Sequence, residues 1–247
     1  MKKVLLYSGG TDSWLIDKIW KPDVRLYVDL KSMYSTEEMW KIVLGKTGHV
    51  EFSDLPLGQF EDKKTAFIPM RNMYLLMQAC FYGEHICLGA TKEDAGGSSD
   101  KDIEFLNEAE HLLNRLWAPQ SLYAGKKIII EKQFLQYTKN DLIQKYLAQG
   151  GNINEFKNET FSCYSPKKQK ECLMCKACFR KFIACYGNGA DYTKEELEKI
   201  YTFAERSVVH RSHHAKGRYF LDKDNGEEVL RVLMRLYSEL GKELNLD

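Results

Sequence analysis

The chain has 247 residues, with 36 basic and 35 acidic side chains, six histidines and a formal net charge of +1. That balance gives no global field to draw in a nucleic acid or a membrane surface, and the length is enough to bury a core without disulfides. No stretch is apolar over the ~18 residues that a membrane helix needs, and Met1-Lys2-Lys3 leads into a short strand and not a signal peptide. Seven cysteines then point to a reducing, cytoplasmic setting, where thiols bind metal more readily than they form disulfides.

Val4-Leu5-Leu6-Tyr7 predicts a buried strand, broken by Ser8-Gly9-Gly10 and followed by a helix from Asp12 to Trp20. A glycine turn that runs from a strand into a helix aims backbone N–H groups, hydroxyls and the positive helix end at a ligand, which suits a pyrophosphate. The loop lacks the lysine of a P-loop and the third glycine of the dinucleotide fingerprint. An ordinary helix-capping turn is the plainer alternative.

Further along, Val24–Asp29 predicts a second strand, 35–44 a helix, and 50–52 a third strand. Pro69 sits near the start of a helix that runs to about Tyr82, a position proline tolerates. A fourth strand, 85–89, opens into a loop rich in Gly, Ser and Asp that ends at Asp100. A helix over 101–117, a strand at 128–130 and a helix over 138–149 with Thr138 as cap complete the pattern. The alternation predicts an α/β fold, a parallel five-stranded sheet with helices on both faces and its ligand at the carboxyl ends of the strands.

Residues 1–150 form the expected α/β domain, 151–190 a four-cysteine segment and 191–247 a helical extension. Within the segment, Cys163, Cys172, Cys175 and Cys178 have the spacing C-x8-C-x2-C-x2-C. Four thiolates so close in sequence suit one tetrahedral, structural Zn²⁺, with an iron–sulfur cluster as the chemical rival. Cys80 and Cys87 lie in apolar surroundings and read as core residues. The extension holds a charged helix over 193–206, a basic stretch (His210, Arg211, His213, His214, Lys216, Arg218) that reads as a solvated loop or as a phosphate or nucleic-acid contact, and a final helix over 227–240 that packs on the body or on another subunit.

Ser8-Gly9-Gly10-Thr11-Asp12-Ser13 resembles the SGGxDS loop of the N-type ATP pyrophosphatases. Together with the ordered cysteines it resembles the 7-cyano-7-deazaguanine (preQ0) synthase family over about residues 1–185. Ile68-Pro69-Met70-Arg71-Asn72 is similar to that family's PxRN segment, Leu88–Ala95 to its GxxxxDA loop, Asp100 to a further aspartate and Tyr137-Thr138-Lys139 to its threonine-lysine step. Phe161-Ser162-Cys163-Tyr164 resembles the opening of its zinc site. The chain departs from the family after strand two, where Asp29 is followed by Leu30-Lys31-Ser32 and not a D-Y-G-Q-type stretch, and in its long tail.

The resemblance implies an adenine nucleotide alpha hydrolase-like (HUP) fold and an ATP- and Mg²⁺-dependent ligase. Its substrates would be 7-carboxy-7-deazaguanine and ammonia, and relatives suggest a homodimer. Ser8, Gly9, Gly10, Thr11 and Ser13 would cradle the pyrophosphate, while Asp12 would hold Mg²⁺ or cap the helix. Arg71 would meet a phosphate or the acid, and Asn72 the substrate. Asp94 and Asp100 would hold Mg²⁺ or the base's amino edge, and Lys139 a phosphate. The same chemistry stopping at the amide, a tRNA-thiolating pyrophosphatase and a nonenzymatic ATP-binding scaffold are the competing readings.

Overall fold

The computed structural model describes residues 1–44, 48–65, 67–95, 100–117, 125–163, 170–209 and 226–244. The basic stretch at 210–218, the glycine-rich part of the loop at 96–99 and Tyr164 lie outside these residues. Two compact units divide the chain, Met1–Gly151 and Asn152–Asp247.

The first unit is built on five parallel strands: β1 (Lys3–Leu6), β2 (Val24–Asp29), β3 (Glu51–Asp54), β4 (His85–Cys87) and β5 (Ile129–Ile130). Their order across the sheet is β3-β2-β1-β4-β5, with Val4 level with Val24 on one side and Ile86 on the other. Helices α1 (Thr11–Trp20) and α2 (Ser35–Leu44) carry the chain one way from β1. Helices α3 (Arg71–Ala79) and α5 (Ile103–Leu116) carry it the other way, with the single turn α4 (Lys92–Ala95) after β4. Right-handed crossovers in opposite directions put these pairs on opposite faces. The strand alternation agrees: Val4, Leu6, Leu26 and Ile86 share an apolar cluster with Leu76 of α3 and Leu106 and Leu113 of α5. Leu5 is also fully buried but points to the other face. Strands covered on both sides read as continuous apolar runs, which is why β1 stood out in the sequence.

Side chains of α5 seal one edge of the sheet. Asn114 accepts from Ile128 N–H at 2.9 Å and donates to its carbonyl at 2.8 Å, and Glu110 accepts from Ile130 N–H at 2.7 Å. An edge strand so paired offers no free ladder.

Boundaries shift in physically simple ways. Helix α3 starts at Arg71 and not nearer Pro69, because Met70 sits at φ 59°, in the left-handed region. Helix α5 starts at Ile103, because Asp102 accepts from Phe105 N–H and caps it. Helix α6 (Lys139–Ala148) has the expected Thr138 cap, closed by Asp141 into a capping box.

The second unit is helical: α7 (Ile153–Glu159), α8 (Lys176–Gly187), α9 (Lys194–Ala204) and α10 (Gly226–Glu239). Phe179, Phe182 and Tyr186 of α8 pack with Leu197 and Ile200 of α9 and with Val229, Leu233 and Leu236 of α10 in one apolar cluster. The final helix therefore packs back onto the cysteine-bearing helix of its own chain. No helix among the described residues is long and apolar enough to cross a membrane.

Candidate active site and cysteine site

At the end of β1 the chain turns through Gly9, at φ 68°, a conformation that costs glycine nothing. Gly10 is the N-cap of α1 and no side chain caps that helix, so its first N–H groups face the turn without a side-chain acceptor. Ser13 Oγ donates to Gly10 O at 3.2 Å and lies 3.5 Å from Ser8 Oγ. The loop thus presents amide donors, two hydroxyls and the positive helix end together, the composition of an anion cradle.

Trp14 of α1 meets Tyr146 of α6 edge to face at 5.2 Å between ring centroids. This packing and the Thr138 cap set the first residue of α6 over the loop. Lys139 Nζ donates to Thr11 Oγ1 at 2.9 Å and pairs with the Asp12 carboxylate. A cation 127 residues away in sequence becomes part of the opening loop.

The loop borders a cavity of about 280 Å³. It opens where strand order reverses, between the carboxyl ends of β1 and its neighbours, the usual ligand position in such sheets. Ser8, Gly10, Asp12 and Ser13 line its floor. Leu26, Val28 and Leu30 of the β2 side make an apolar wall with Glu38 beside it. Arg71 and Asn72 enter from the start of α3, and Gly89, Asp94 and Lys101 from the β4 side. Gly9, Thr11, Asp100 and Lys139 are not among the lining residues, though Thr11 and Lys139 are tied to Asp12 and the Asp100 carbonyl accepts from Asn72 Nδ2 at 3.1 Å. Glu38, one of the two acidic residues (Glu37, Glu38) downstream of the departure after β2, lines the cavity. Lys101 escaped sequence reading, and its position past the end of β4 was the available signal.

Burial works to raise the Asp94 carboxyl, but the charges of Lys101 and Lys139 and the Thr91 N–H hold it below the usual aspartate value. Asp94 is therefore a carboxylate at neutral pH, available to a cation or an amino group. The segment after β2 that departs from relatives is a self-bonded turn. Asp29 accepts from Lys31 N–H at 2.9 Å and from its Nζ at 2.6 Å, and the same Nζ reaches Asp54 at 3.0 Å. Gly58 packs so closely that an added Cβ would lie 1.9 Å from Lys31 O.

In the second unit the Sγ atoms of Cys163, Cys172, Cys175 and Cys178 all lie within 4.8 Å of one another. Cys175 and Cys178 are 3.5 Å apart, Cys172 and Cys178 3.9 Å. Four sulfurs bound to one zinc at ~2.3 Å would sit roughly 3.8 Å apart, so the set fits a single tetrahedral ion. Leu173, at φ 57°, turns the chain inside the C-x2-C pair. Backbone N–H groups of Cys172 and Met174 point at Cys163 Sγ and Cys172 Sγ, at 3.3 and 3.4 Å, as donors to thiolates do. The other cysteines are chemically quiet. Burial pushes Cys80 and Cys185 up to about 11 and Cys87 to about 12, leaving neither thiolate nor nucleophile near neutral pH.

A parallel sheet of this order, with a serine-glycine cradle, a lysine over it and a cavity at the switch point, is the frame of an ATP pyrophosphatase-type enzyme. Residues 44–186 match the family model described as "Queuosine biosynthesis protein QueC". The chain belongs to that family. The matched range holds α3, β4, Lys139 and all four cysteines, and leaves the opening loop outside. Among solved structures the chain is similar to the U34-tRNA thiolase NcsA from Methanococcus maripaludis with its [4Fe-4S] cluster, at 10% identity over 96% of this chain and 72% of that one, with a TM-score of 0.35. No curated protein matches its sequence.

Proposed function

We propose that the chain is an ATP-dependent carbon–nitrogen ligase that converts 7-carboxy-7-deazaguanine and ammonia to 7-cyano-7-deazaguanine. The observation that carries this reading is the meeting, in one cavity, of an anion cradle (Ser8–Ser13) with the cation-bearing groups Arg71 and Lys101 and the carboxylate Asp94, in a chain of the QueC family.

Carboxylate and ammonia do not condense unaided, because oxide would have to leave. Adenylation replaces that leaving group. A carboxylate oxygen attacks the α-phosphorus of ATP, and the bond to the β-phosphate oxygen breaks, its electron pair departing with pyrophosphate. Ammonia then attacks the acyl carbon, AMP leaves, and the nitrogen loses a proton to give the amide. The amide oxygen then attacks the α-phosphorus of a second ATP, pyrophosphate again leaving with the bridging oxygen, and loss of AMP and two protons leaves the nitrile. Holding the reactants in line supplies much of the acceleration. The loop amides, Thr11, Ser13 and Lys139 would stabilise charge on the departing pyrophosphate.

Asp12 and Asp94 line the cavity and would hold Mg²⁺, which would neutralise phosphate charge when bound. Arg71 would hold a phosphate, and Asn72 and the Asp100 segment the base. The cysteines would carry structural Zn²⁺. Sulfurs this close favour one ion over a cluster, whose ligands spread around several irons. A homodimer belongs to this reading. Tyr74 and Met77 are exposed on α3, with Met70 and Phe81 exposed just beyond its two ends.

The test is mass spectrometry of the product from purified protein, ATP, Mg²⁺, ammonium and the acid. The nitrile is expected; accumulation of the amide alone would move the endpoint. Pyrophosphate release with tRNA but not with the acid would overturn the assignment, and turnover with neither would leave a scaffold.

A further inference from the structure

Lys101 has no counterpart in the motifs that drew attention to this site. Its backbone is held from both sides. Asn72 grips the Asp100 carbonyl before it, and Asp102 after it caps α5 by accepting from Phe105 N–H at 2.8 Å. The side chain, one quarter exposed, lines the cavity and puts Nζ 3.3 Å from Asp94 Oδ1. That is long for an ammonium–carboxylate contact, which settles at about 2.7–2.9 Å when tight. Asp94 meanwhile spends Oδ2 on the N–H and hydroxyl of Thr91, at 3.2 and 3.3 Å. An open, long ion pair contributes little and exchanges readily.

We propose that Lys101 recognises the negative charge of the acid substrate, with Asp94 standing in for the substrate carboxylate until it arrives. This deepens the ligase reading and rests on it. The two activation steps of that reaction differ in charge, because the first substrate is a carboxylate and the second a neutral amide. Lys101 thus assists capture of the acid and not of the amide. When the carboxylate oxygen joins the α-phosphorus and pyrophosphate leaves, the acyl group loses its charge and Lys101 returns to Asp94. The residue separates the two half-reactions inside one cavity.

The experiment measures pyrophosphate release by the full chain with the acid and with the amide as separate substrates, for wild type, Lys101→Met and Lys101→Arg. Lys101→Met should raise KM for the acid about ten- to hundredfold, the range for losing a charged hydrogen bond, and change KM for the amide less than about threefold. Lys101→Arg should recover much of the acid KM. Equal losses on both substrates would mean that Lys101 only holds the loop, and no loss on either would mean it meets no substrate; each overturns the proposal and leaves the ligase reading standing. A wild-type protein that turns over neither substrate overturns both. Matching thermal melts of wild type and Lys101→Met would exclude unfolding as the cause of any loss.

Discussion

The two units use lysine in opposite ways. In the first, Lys101 lines an open cavity, and both it and Lys139 pair with carboxylates that line it. In the second, Lys181 is 3% exposed and tied down, donating to Thr160 O at 2.5 Å and to Glu171 Oε2 at 2.9 Å. Glu171 Oε1 in turn accepts from Ser162 N–H at 2.6 Å. This latch binds the chain before Cys163 and the residue before Cys172 to the helix that carries Cys178. Lys101 is loosely paired at the cavity and Lys139 is held by Asp12 and Thr11 beside it, whereas Lys181 is buried between Thr160 and Glu171. A buried pair gains little over a well-packed apolar one, but losing one partner is costly.

The comparison breaks most sharply at the sulfurs. Cys178→Ser should abolish stable metal binding and uncouple the second unit, since a structural zinc contributes on the order of 10 kcal/mol to its domain. Metal analysis should fall from about one ion per chain to near zero, while the first unit keeps a cooperative melt. Iron with visible absorbance in the wild type would contradict zinc.

Next comes the latch. Lys181→Met leaves Glu171 without its cation and should cost about 3–5 kcal/mol, read as a lower denaturation midpoint and faster loss of metal to a chelator. Lys181→Met with Glu171→Gln should recover part of that loss. If the single variant loses metal no faster than wild type, the latch does not hold the site.

Lys139→Met tests the opposite behaviour. Removing a donor aimed at developing charge typically costs 10²–10³ in kcat, so pyrophosphate release should fall by about that factor while the melting temperature moves little. A large loss of stability with proportionate activity would make Lys139 a structural residue like Lys181.

The contrast also explains what the sequence could announce. Continuous apolar runs and the Ser-Gly turn made β1 and the loop legible, and the C-x2-C-x2-C spacing put the cysteine set in view. These signals are local. Lys101 and the Lys181–Glu171 latch were not legible, because each acquires meaning only from partners brought together by tertiary packing. Lys181 looks like any helical surface lysine until α8 is rolled with that face inward. Pro69 lies near the start of α3 as the sequence suggests, but the first helical residue is Arg71, because Met70 adopts a left-handed backbone that nothing in its side chain predicts.

The smallest expected effect separates the units through a device they share. Thr138 and Thr193 close capping boxes, with Asp141 at α6 and Glu196 at α9. Replacing either threonine by alanine removes one acceptor and should cost about 1 kcal/mol. Thr138→Ala should in addition depress activity, because Lys139 is the next residue, whereas Thr193→Ala should change stability alone. Glu196 adds a pH signature. Burial pushes its carboxyl up, but the Thr193 N–H and Lys157 outweigh that and hold it below the usual glutamate value of 4.5. A depressed carboxyl binds protons more weakly in the folded state, so its contribution is present above the ordinary value and is lost as pH falls through the folded one. Glu196→Gln should therefore destabilise at neutral pH and progressively less toward about pH 3, while the Thr193→Ala penalty should persist wherever the box remains ionised. Urea midpoints measured across that range would distinguish them, and a Glu196→Gln penalty independent of pH would show that the carboxylate charge plays no part.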